Sequence, residues 1–337
     1  MYHRVSFLKP RRDGEASENQ TNGERHMTVR NLFSGIPKEF YIPTTTQVVF
    51  VADFFVSDLV GGAELTSEAI IKASPYKLFK LHSSSLTEEL LEKNKDKIWV
   101  FGNNTMVAKD LLVKVQQLKL QYFFFEYDFK PCILRSTKKH ELQSGKPCDC
   151  HLQPHGHLNA KFMTGAKELF WCSDGQRDKF YGLFPQYKGR TTDFTQSSTF
   201  YPETILNIRS IRERKLAGEI KVEDRWAILD SDSWIKGTED AVKFCKNQGM
   251  NVVLLKNLSP DQFLVEIAKS KGLVFFPRDM DVGSRITTET KLLGGATVVN
   301  ENVLHASEGW FNQPTEKIEE YLLDGPARFW REINKHL

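Results

Sequence analysis

Short apolar runs and longer amphipathic stretches follow one another along this chain. The runs 47–52 (QVVFVA) and Gly272–Phe276 are the size of strands, and turns containing acidic residues and glycine come after them. Apolar positions recur at helical spacing between such runs, as they do from Ala63 to Ile70. Strands that alternate with helices pair in parallel, because each helix crosses back over the sheet. The pattern therefore predicts a doubly wound α/β fold.

The alternation runs through the chain twice, and 337 residues exceed one ordinary hydrophobic core. The predicted strands are 47–52, 76–81, 97–101, 121–125, 168–172, 225–229, 251–255, 272–276 and 296–299. The predicted helices include 87–93, 106–118, 176–183, 238–248, 260–270 and 286–293. We therefore expect two Rossmann-like domains, residues 41–215 and 216–314, that face each other across a cleft.

Several segments depart from this alternation. Residues 131–159 are polar and rich in His, Cys, Lys and Pro, which indicates an insertion in the first domain. Residues 1–30 are polar and charged and lack the apolar core of a signal peptide, so we predict that residues 1–40 form a disordered leader. The basic segment 203–216 is predicted to be a solvated helix, and the tail 315–337 is amphipathic.

The composition is that of a soluble globular protein, with 40% hydrophobic and 26% charged residues. No apolar run approaches the roughly 20 residues of a transmembrane helix, so a cytoplasmic location is expected. The net charge of +3 permits a polyanionic partner without favouring one. Five cysteines, three of them close together, do not match a secreted disulfide scaffold.

Two acidic residues flank the strand-to-helix turn after Phe276. Asp281 and Glu289 are candidate acceptors for sugar and ribose hydroxyls, because charged acceptors form the stronger hydrogen bonds. Between them, Gly283 and Ser284 would let the backbone approach a diphosphate, and Arg285 would add positive charge. The alternative interpretation is an ordinary acidic loop followed by a helix with an exposed Glu289.

Two further turns follow predicted first strands. Lys236 lies in the turn after the first strand of the second domain, where it can neutralise a leaving diphosphate. Gly61 and Gly62 lie between the first strand and the first helix, where a tight turn exposes backbone N–H groups. A surface lysine and an ordinary loop glycine pair are the alternatives.

Asp128 follows the fourth strand and would face the same cleft. A carboxylate there can orient or deprotonate an acceptor hydroxyl. The alternative is an aspartate that caps its own loop.

The insertion contains enough soft ligands for a structural zinc ion. Cys132, Cys148, Cys150 and His151 form the candidate set, with His140 and two other histidines nearby. The Cys-x-Cys-His spacing matches no common zinc finger. Buried free thiols with surface histidines are the alternative, and a nucleophilic Cys–His pair is a further one.

In combination, these motifs resemble the GT-B glycosyltransferases of the large retaining group that includes sucrose and glycogen synthases. Gly61-Gly62-Ala63-Glu64 is similar to the amino-terminal glycine turn of that group, and Lys236-Gly237 to its phosphate-binding lysine. Residues 281–289 resemble its two-glutamate motif, with Asp281 in place of the first glutamate. The resemblance spans residues 45–335 and is strongest at 272–300. No counterpart is found for the group's arginine before the lysine, or for its first-domain histidine.

The resemblance implies a hexosyltransferase-like enzyme that uses a UDP- or GDP-sugar and retains the anomeric configuration. Glu289 would hold the ribose, Asp281 the sugar, and Lys236 with Arg285 the diphosphate, while Gly61 and Gly62 close over the donor. The first domain would bind a glycan, lipid or small-molecule acceptor and the second the donor. Residues 315–337 would cross back to the first domain, and no catalytic metal is expected.

Three alternatives remain open from the sequence. The acceptor is a hydroxymethylated base in DNA, which the basic residues Arg209–Lys215 and Lys138–His140 motivate. The chain is a non-catalytic nucleotide-binding module. The chain is an epimerase of related fold, which would convert the donor sugar without an acceptor.

Overall fold

The computed structural model describes residues 3–4 and 41–337. The strands are His3–Arg4 (β1), Val48–Ala52 (β2), Leu78–His82 (β3), Ile98–Phe101 (β4), Tyr122–Glu126 (β5), Glu168–Trp171 (β6), Thr192–Thr195 (β7), Trp226–Leu229 (β8), Val252–Leu255 (β9), Gly272–Phe275 (β10) and Ala296–Val299 (β11). They form two sheets, ordered β3-β2-β4-β5-β6-β7 and β1-β9-β8-β10-β11. The expected leader lies outside the described residues, except that β1 pairs with β9.

Every strand pair in both sheets is parallel, which requires crossover connections. The helices are Gly62–Lys72 (α1), Glu88–Lys93 (α2), Lys109–Gln117 (α3), Thr137–Ser144 (α4), Pro154–Met163 (α5), Asp174–Leu183 (α6), Pro202–Leu216 (α7), Thr238–Asn247 (α8), Pro260–Ala268 (α9), Arg285–Leu292 (α10), Thr315–Leu323 (α11) and Gly325–Asn334 (α12). None of these helices combines the length and apolar character that a membrane span requires.

Apolar side chains cover both faces of each sheet, as expected for buried parallel strands. The strand run YFFFE of β5 is completely buried and alternates its side chains between the two cores of the first domain. The α/β fold class expected from the sequence, with two Rossmann-like doubly wound sheets, is therefore confirmed.

Helix α7 packs with the second domain, whereas the sequence boundary at residue 215 assigned it to the first. Its buried residues Ile205, Ile208 and Ile211 join the core formed by α9, α10 and the second sheet. Arg209 and Arg212 form ion pairs with the buried carboxylate of Glu319 on α11. One face of the helix is thus buried in the core of the second sheet, while Glu203, Glu213 and Arg214 on the remaining surface are exposed, as the charge of the segment indicated.

Helix α12 returns to the first domain and closes one face of its sheet. Phe329 is completely buried and lies 4.4 Å from Phe170 and 6.1 Å from Phe125, measured between ring centroids. Trp330 donates its indole N–H to the carbonyl of Ile70 on α1 at 2.9 Å. The carboxyl terminus therefore joins the two domains through an apolar contact.

We predict that Phe329→Ala destabilises the first domain by about 3–5 kcal/mol, because it removes a buried aromatic ring and leaves a cavity. Urea denaturation followed by circular dichroism measures this loss. Phe54→Ala is the matched control, since Phe54 is 39% exposed and its removal should change stability by under about 1 kcal/mol. Equal effects of the two substitutions would contradict the described packing of α12.

Candidate functional site

The candidate site lies where the strand order of each sheet reverses. The chain leaves β2 toward β3 and later returns to the other side of β2 as β4, and β8 is related in the same way to β9 and β10. Ligands of open α/β sheets bind outside the carboxyl ends of the strands at such reversals. The turns after β2, β8 and β10 line a single cavity of about 420 Å³ between the domains.

The cavity brings together most of the residues singled out in the sequence. Its lining includes Gly61, Gly62, Lys236, Asp281, Gly283, Ser284, Arg285 and Glu289. Asp128 is absent from the lining, although its neighbour Tyr127 is part of it. The two domains thus supply different parts of one cleft, with most of the polar side chains coming from the second.

The first turn of α10 presents free backbone donors to the cavity. No acceptor within residues 41–337 is found for the N–H groups of Arg285, Ile286 and Thr287, and Ser284 forms no side-chain cap. These groups carry the partial positive charge of the helix amino terminus, which favours an anion. The N–H of Ser284 is not available, because it donates to His305 Nδ1 at 3.2 Å.

Arg285 lies between the two domains. Its Nη1 donates to the carbonyl of Thr199 at 2.7 Å, and its guanidinium stacks 3.8 Å from the ring centroid of Phe200. A Cβ atom on Gly62 would lie 3.7 Å from Arg285 Cδ, so the glycine turn of the first domain abuts this arginine. Its buried Nε has no partner among the described residues, and burial lowers the pKa of the guanidinium.

Glu289 lies one turn along α10 from Arg285 and is half-buried. Burial raises the pKa of its carboxyl to about 7, and the positive charge of Arg285 opposes this rise. No hydrogen-bond partner for this carboxylate is found in the described part of the chain. A hydroxyl donor placed in the cavity would therefore satisfy it and favour its ionised form.

Lys236, in the turn after β8, forms an ion pair with Asp281, in the turn after β10, and Lys236 Nζ lies 2.9 Å from Asp281 Oδ2. Lys236 ends a short 3₁₀ turn, and Gly237 follows in the left-handed conformation with φ 64°. A Cβ atom on Gly237 would lie 1.8 Å from the carbonyl oxygen of Phe276, so only glycine fits there. The backbone of Asp281 is held by a parallel bridge to Val303.

His305 is a buried residue that the sequence did not single out. Because its Nδ1 accepts from the Ser284 N–H, the ring must carry its proton on Nε2, which lies 3.0 Å from Thr287 Oγ1. Thr287 in turn donates to the Ser284 carbonyl. Burial lowers the pKa of His305 to about 4, so the neutral ring fixes the start of α10.

The glycine turn of the first domain leads into α1, whose amino terminus also faces the cavity. Gly61 is the N-cap, and a Cβ atom there would lie 2.4 Å from Glu64 Oε2. Burial raises the pKa of Glu64, while a hydrogen bond from its own backbone N–H opposes the rise. The glycine therefore makes room for a carboxylate that lies at the positive end of α1.

Asp128 belongs to a network of charges at the carboxyl end of β5. Arg135 Nη1 lies 3.2 Å from Asp128 Oδ2, and the buried Lys130 Nζ lies 3.5 Å from Oδ1. Lys130 also lies 3.2 Å from the buried Glu126, whose pKa is raised to about 7 by burial. The sequence did not single out Lys130 or Arg135. Asp128 is 24% exposed within this network.

One of the four metal ligands predicted from the sequence, His151, does not lie with the other three in the structure. Cys132, Cys148 and Cys150 converge as expected, but the fourth residue is His140. His151 instead places its ring edge-on to Phe184, with 6.4 Å between ring centroids. Helix α4 causes this difference, because it carries His140 back toward the cysteines.

No family model matches the chain, and neither does any curated protein sequence. Among solved structures, HepE from Anabaena in complex with UDP is 11% identical and covers 83% of this chain and 94% of its own, with a TM-score of 0.48. An alpha-glucosyltransferase in complex with UDP and a 13-mer DNA containing an HMU base is 10% identical, covering 84% and 89%, with a TM-score of 0.46. UDP-GlcNAc 2-epimerase from Methanocaldococcus jannaschii is 10% identical, covering 86% and 99%, with a TM-score of 0.44.

We predict that ionisation of Glu289 makes the ligand-free protein less stable as pH rises. The pKa of this carboxyl is about 7 in the folded state and near 4.5 in the unfolded state, so the folded state binds more protons between these two pH values. The free energy of unfolding therefore falls as the pH rises from 4.5 to about 7. Between pH 5 and pH 8, the free energy of unfolding should fall less in Glu289→Gln than in the wild type, by on the order of 1–3 kcal/mol. Denaturant titrations across this range measure it, and the exposed Glu301→Gln is the control. An unchanged pH profile in Glu289→Gln would contradict the buried setting of this carboxyl.

Proposed function

We propose that this protein is a glycosyltransferase that transfers a sugar from a nucleotide-diphosphate sugar to an acceptor hydroxyl. The observation that carries the proposal is the composition of the interdomain cavity. Two helix amino termini, two cationic side chains and an unpaired carboxylate line it together. A nucleotide-diphosphate sugar offers matching chemistry, since it has a dianionic centre with hydroxyl-bearing sugars on both sides.

The diphosphate would lie against the first turn of α10. The N–H groups of Arg285 to Thr287 and the guanidinium of Arg285 supply donors from one side. Lys236 would exchange its ion pair with Asp281 for the phosphate, where positive charge stabilises the leaving group as the glycosidic bond breaks. Asp281 would then be free to accept hydrogen bonds from the transferred sugar.

The nucleoside would extend along α10, where Glu289 accepts from the ribose hydroxyls. A UDP- or GDP-sugar fits this assignment equally, because both carry the same ribose and diphosphate. Gly61 and Gly62 would close over the donor from the first domain, since a Cβ atom on Gly62 would lie within van der Waals contact of Arg285. Asp128 would orient the acceptor, as its network lies at the end of β5 beside the lining residue Tyr127.

Retention at the anomeric carbon is part of the proposal. The departing diphosphate oxygen would take the acceptor proton on the face where the new bond forms. This route needs charge stabilisation at the phosphate and no separate base on the opposite face. The acceptor is proposed to be a glycan, lipid or small molecule.

Most of the basic residues that motivated a DNA acceptor have partners within the described part of the chain. Arg209 and Arg212 pair with Glu319, and Lys215 lies 3.3 Å from the carbonyl oxygen of Leu293. Lys138 pairs with Glu141 in the insertion. These contacts leave no specific observation that favours DNA over a smaller acceptor.

We predict that nucleoside diphosphates and their sugars raise the melting temperature, whereas nucleosides lacking phosphate do not. A ligand at 100 times its dissociation constant stabilises by about 2.7 kcal/mol through mass action. Glu289→Ala and Lys236→Ala should weaken this binding by roughly 10- to 100-fold, since each removes a charged hydrogen-bonding partner. The exposed Glu301→Ala and Lys243→Ala are matched controls.

The decisive outcomes separate the alternatives. Nucleotide-sugar hydrolysis or transfer by the purified protein, followed by NMR of the anomeric proton, would establish catalysis and report retention. Conversion of the donor sugar without an acceptor would identify an epimerase. Binding without any turnover would identify a nucleotide-binding module. If no nucleotide diphosphate shifts the melting temperature, the assignment of this cavity is wrong.

A further inference from the structure

A second cluster of functional side chains lies in the insertion, away from the cavity. Cys132, His140, Cys148 and Cys150 place one ligand atom each within 4.8 Å of all the others. Cys132 and Cys150 are buried, while Cys148 and His140 are half-buried. Three soft sulfur ligands and one imidazole form a set typical of structural zinc sites.

One sulfur–sulfur distance in the cluster matches a tetrahedral metal centre. Two thiolates that bind tetrahedral zinc at about 2.3 Å lie about 3.8 Å apart. The Sγ atoms of Cys148 and Cys132 are 3.7 Å apart. This spacing is far too long for a disulfide bond, whose sulfur atoms lie about 2.05 Å apart.

Hydrogen bonding alone does not satisfy this arrangement. His140 Nδ1 lies 3.1 Å from Cys148 Sγ and 3.2 Å from Cys150 Sγ. A neutral imidazole nitrogen has either one lone pair or one proton, so it can make one of these contacts well. A cation at the centre would satisfy the nitrogen and all three sulfurs together.

Backbone groups support two of the sulfur atoms. The backbone N–H groups of Leu134 and Cys150 act as hydrogen-bond donors to Cys132 and Cys148, respectively. Each donor lies two residues after the cysteine that it contacts. Such N–H donors stabilise thiolate charge and orient the sulfur, which is the role of outer-shell partners in metal sites.

The cluster also connects parts of the protein that meet at the cleft. Three residues after Cys132, Arg135 adopts a left-handed conformation with φ 56° and forms an ion pair with Asp128. Such a conformation is unfavourable for a residue with a Cβ atom, so the surrounding structure must hold it. Ser136 Oγ and the Lys138 N–H, at the start of α4, donate to the buried Asp279 of the second domain at 2.6 and 3.0 Å.

We propose that Cys132, His140, Cys148 and Cys150 bind one structural zinc ion that fastens the insertion to both domains. The ion fixes the turn that directs Arg135 to Asp128 and the helix start that holds Asp279. Asp279 is two residues from Asp281, so the metal indirectly supports the loop of the candidate site. This inference is independent of the proposed glycosyl transfer.

The metal content of the purified full chain tests the proposal. We expect one zinc ion per chain by elemental mass spectrometry after purification without chelators. Replacement by Co²⁺ should give the thiolate-to-metal charge-transfer band and the visible bands of tetrahedral coordination. Wild-type protein with far less than one zinc ion and no such cobalt spectrum would overturn the proposal, as would a different resident metal or disulfide-linked cysteines.

Matched substitutions test the ligand set. His140→Asn and Cys148→Ser should reduce zinc to well below one ion per chain. His151→Asn and Cys245→Ser should retain it, because His151 contacts Phe184 and Cys245 is buried on α8 in the second domain. Loss of zinc from His151→Asn but not from His140→Asn would overturn the assignment of His140. If the cluster variants do not fold, the wild-type zinc stoichiometry and cobalt spectrum decide.

Hydrogen exchange tests the link to the cleft. Removing zinc from the wild-type protein should speed amide exchange in 132–150 and in the loop 277–284, while α9 stays protected. Asp279→Asn should speed exchange at the start of α4 without changing the zinc content. Unchanged exchange in the loop after zinc removal would show that the metal does not support the candidate site.

Discussion

The positively charged amino termini of two helices, α1 and α10, line the same cavity. Carboxylates elsewhere in the site balance this positive charge. Each helix amino terminus carries roughly half an elementary charge, and Arg285 lies between them. Without a ligand, the protein's own carboxylates supply the opposing charge. Glu64 lies in the first turn of α1, and Asp281 forms an ion pair with Lys236. An anionic ligand in the cavity would replace part of this internal compensation.

The strand order of the second sheet explains why the polar side chains of the second domain lie close together. The turn after β8 and the turn after β10 are adjacent because their strands pair in parallel across the reversal of strand order. One turn supplies Lys236 and the other supplies Asp281. His305 then fixes the backbone at Ser284, and its low pKa keeps the ring neutral where a positive charge would oppose the helix dipole and Arg285.

Much of the architecture could be predicted from local pattern, since parallel sheets and their turns depend on contiguous sequence. Strand β11 has the predicted bounds, and β10 differs from its prediction by one residue. The convergence of Lys236 and Asp281 followed from the rule that carboxyl ends of parallel strands share an edge, because β8 and β10 are neighbours in one sheet. Long-range choices were not predictable in this way. Charge indicated a solvated α7, while the three isoleucines at spacings of three face a core whose identity the local sequence does not contain.

The histidine of the insertion shows the same limit at shorter range. His151 adjoins Cys150 in sequence, but neighbouring residues of a tight turn point in different directions, and its ring turns toward Phe184. His140 is separated from Cys148 and Cys150 by the end of α4, whose left-handed terminal Gly145 reverses the chain. Spatial proximity here is created by a helix and its cap, neither of which the Cys and His spacing reveals. The start of the same helix, α4, is hydrogen-bonded to Asp279 of the second domain. The helix that brings His140 to the cysteines therefore also determines how the insertion contacts the second domain.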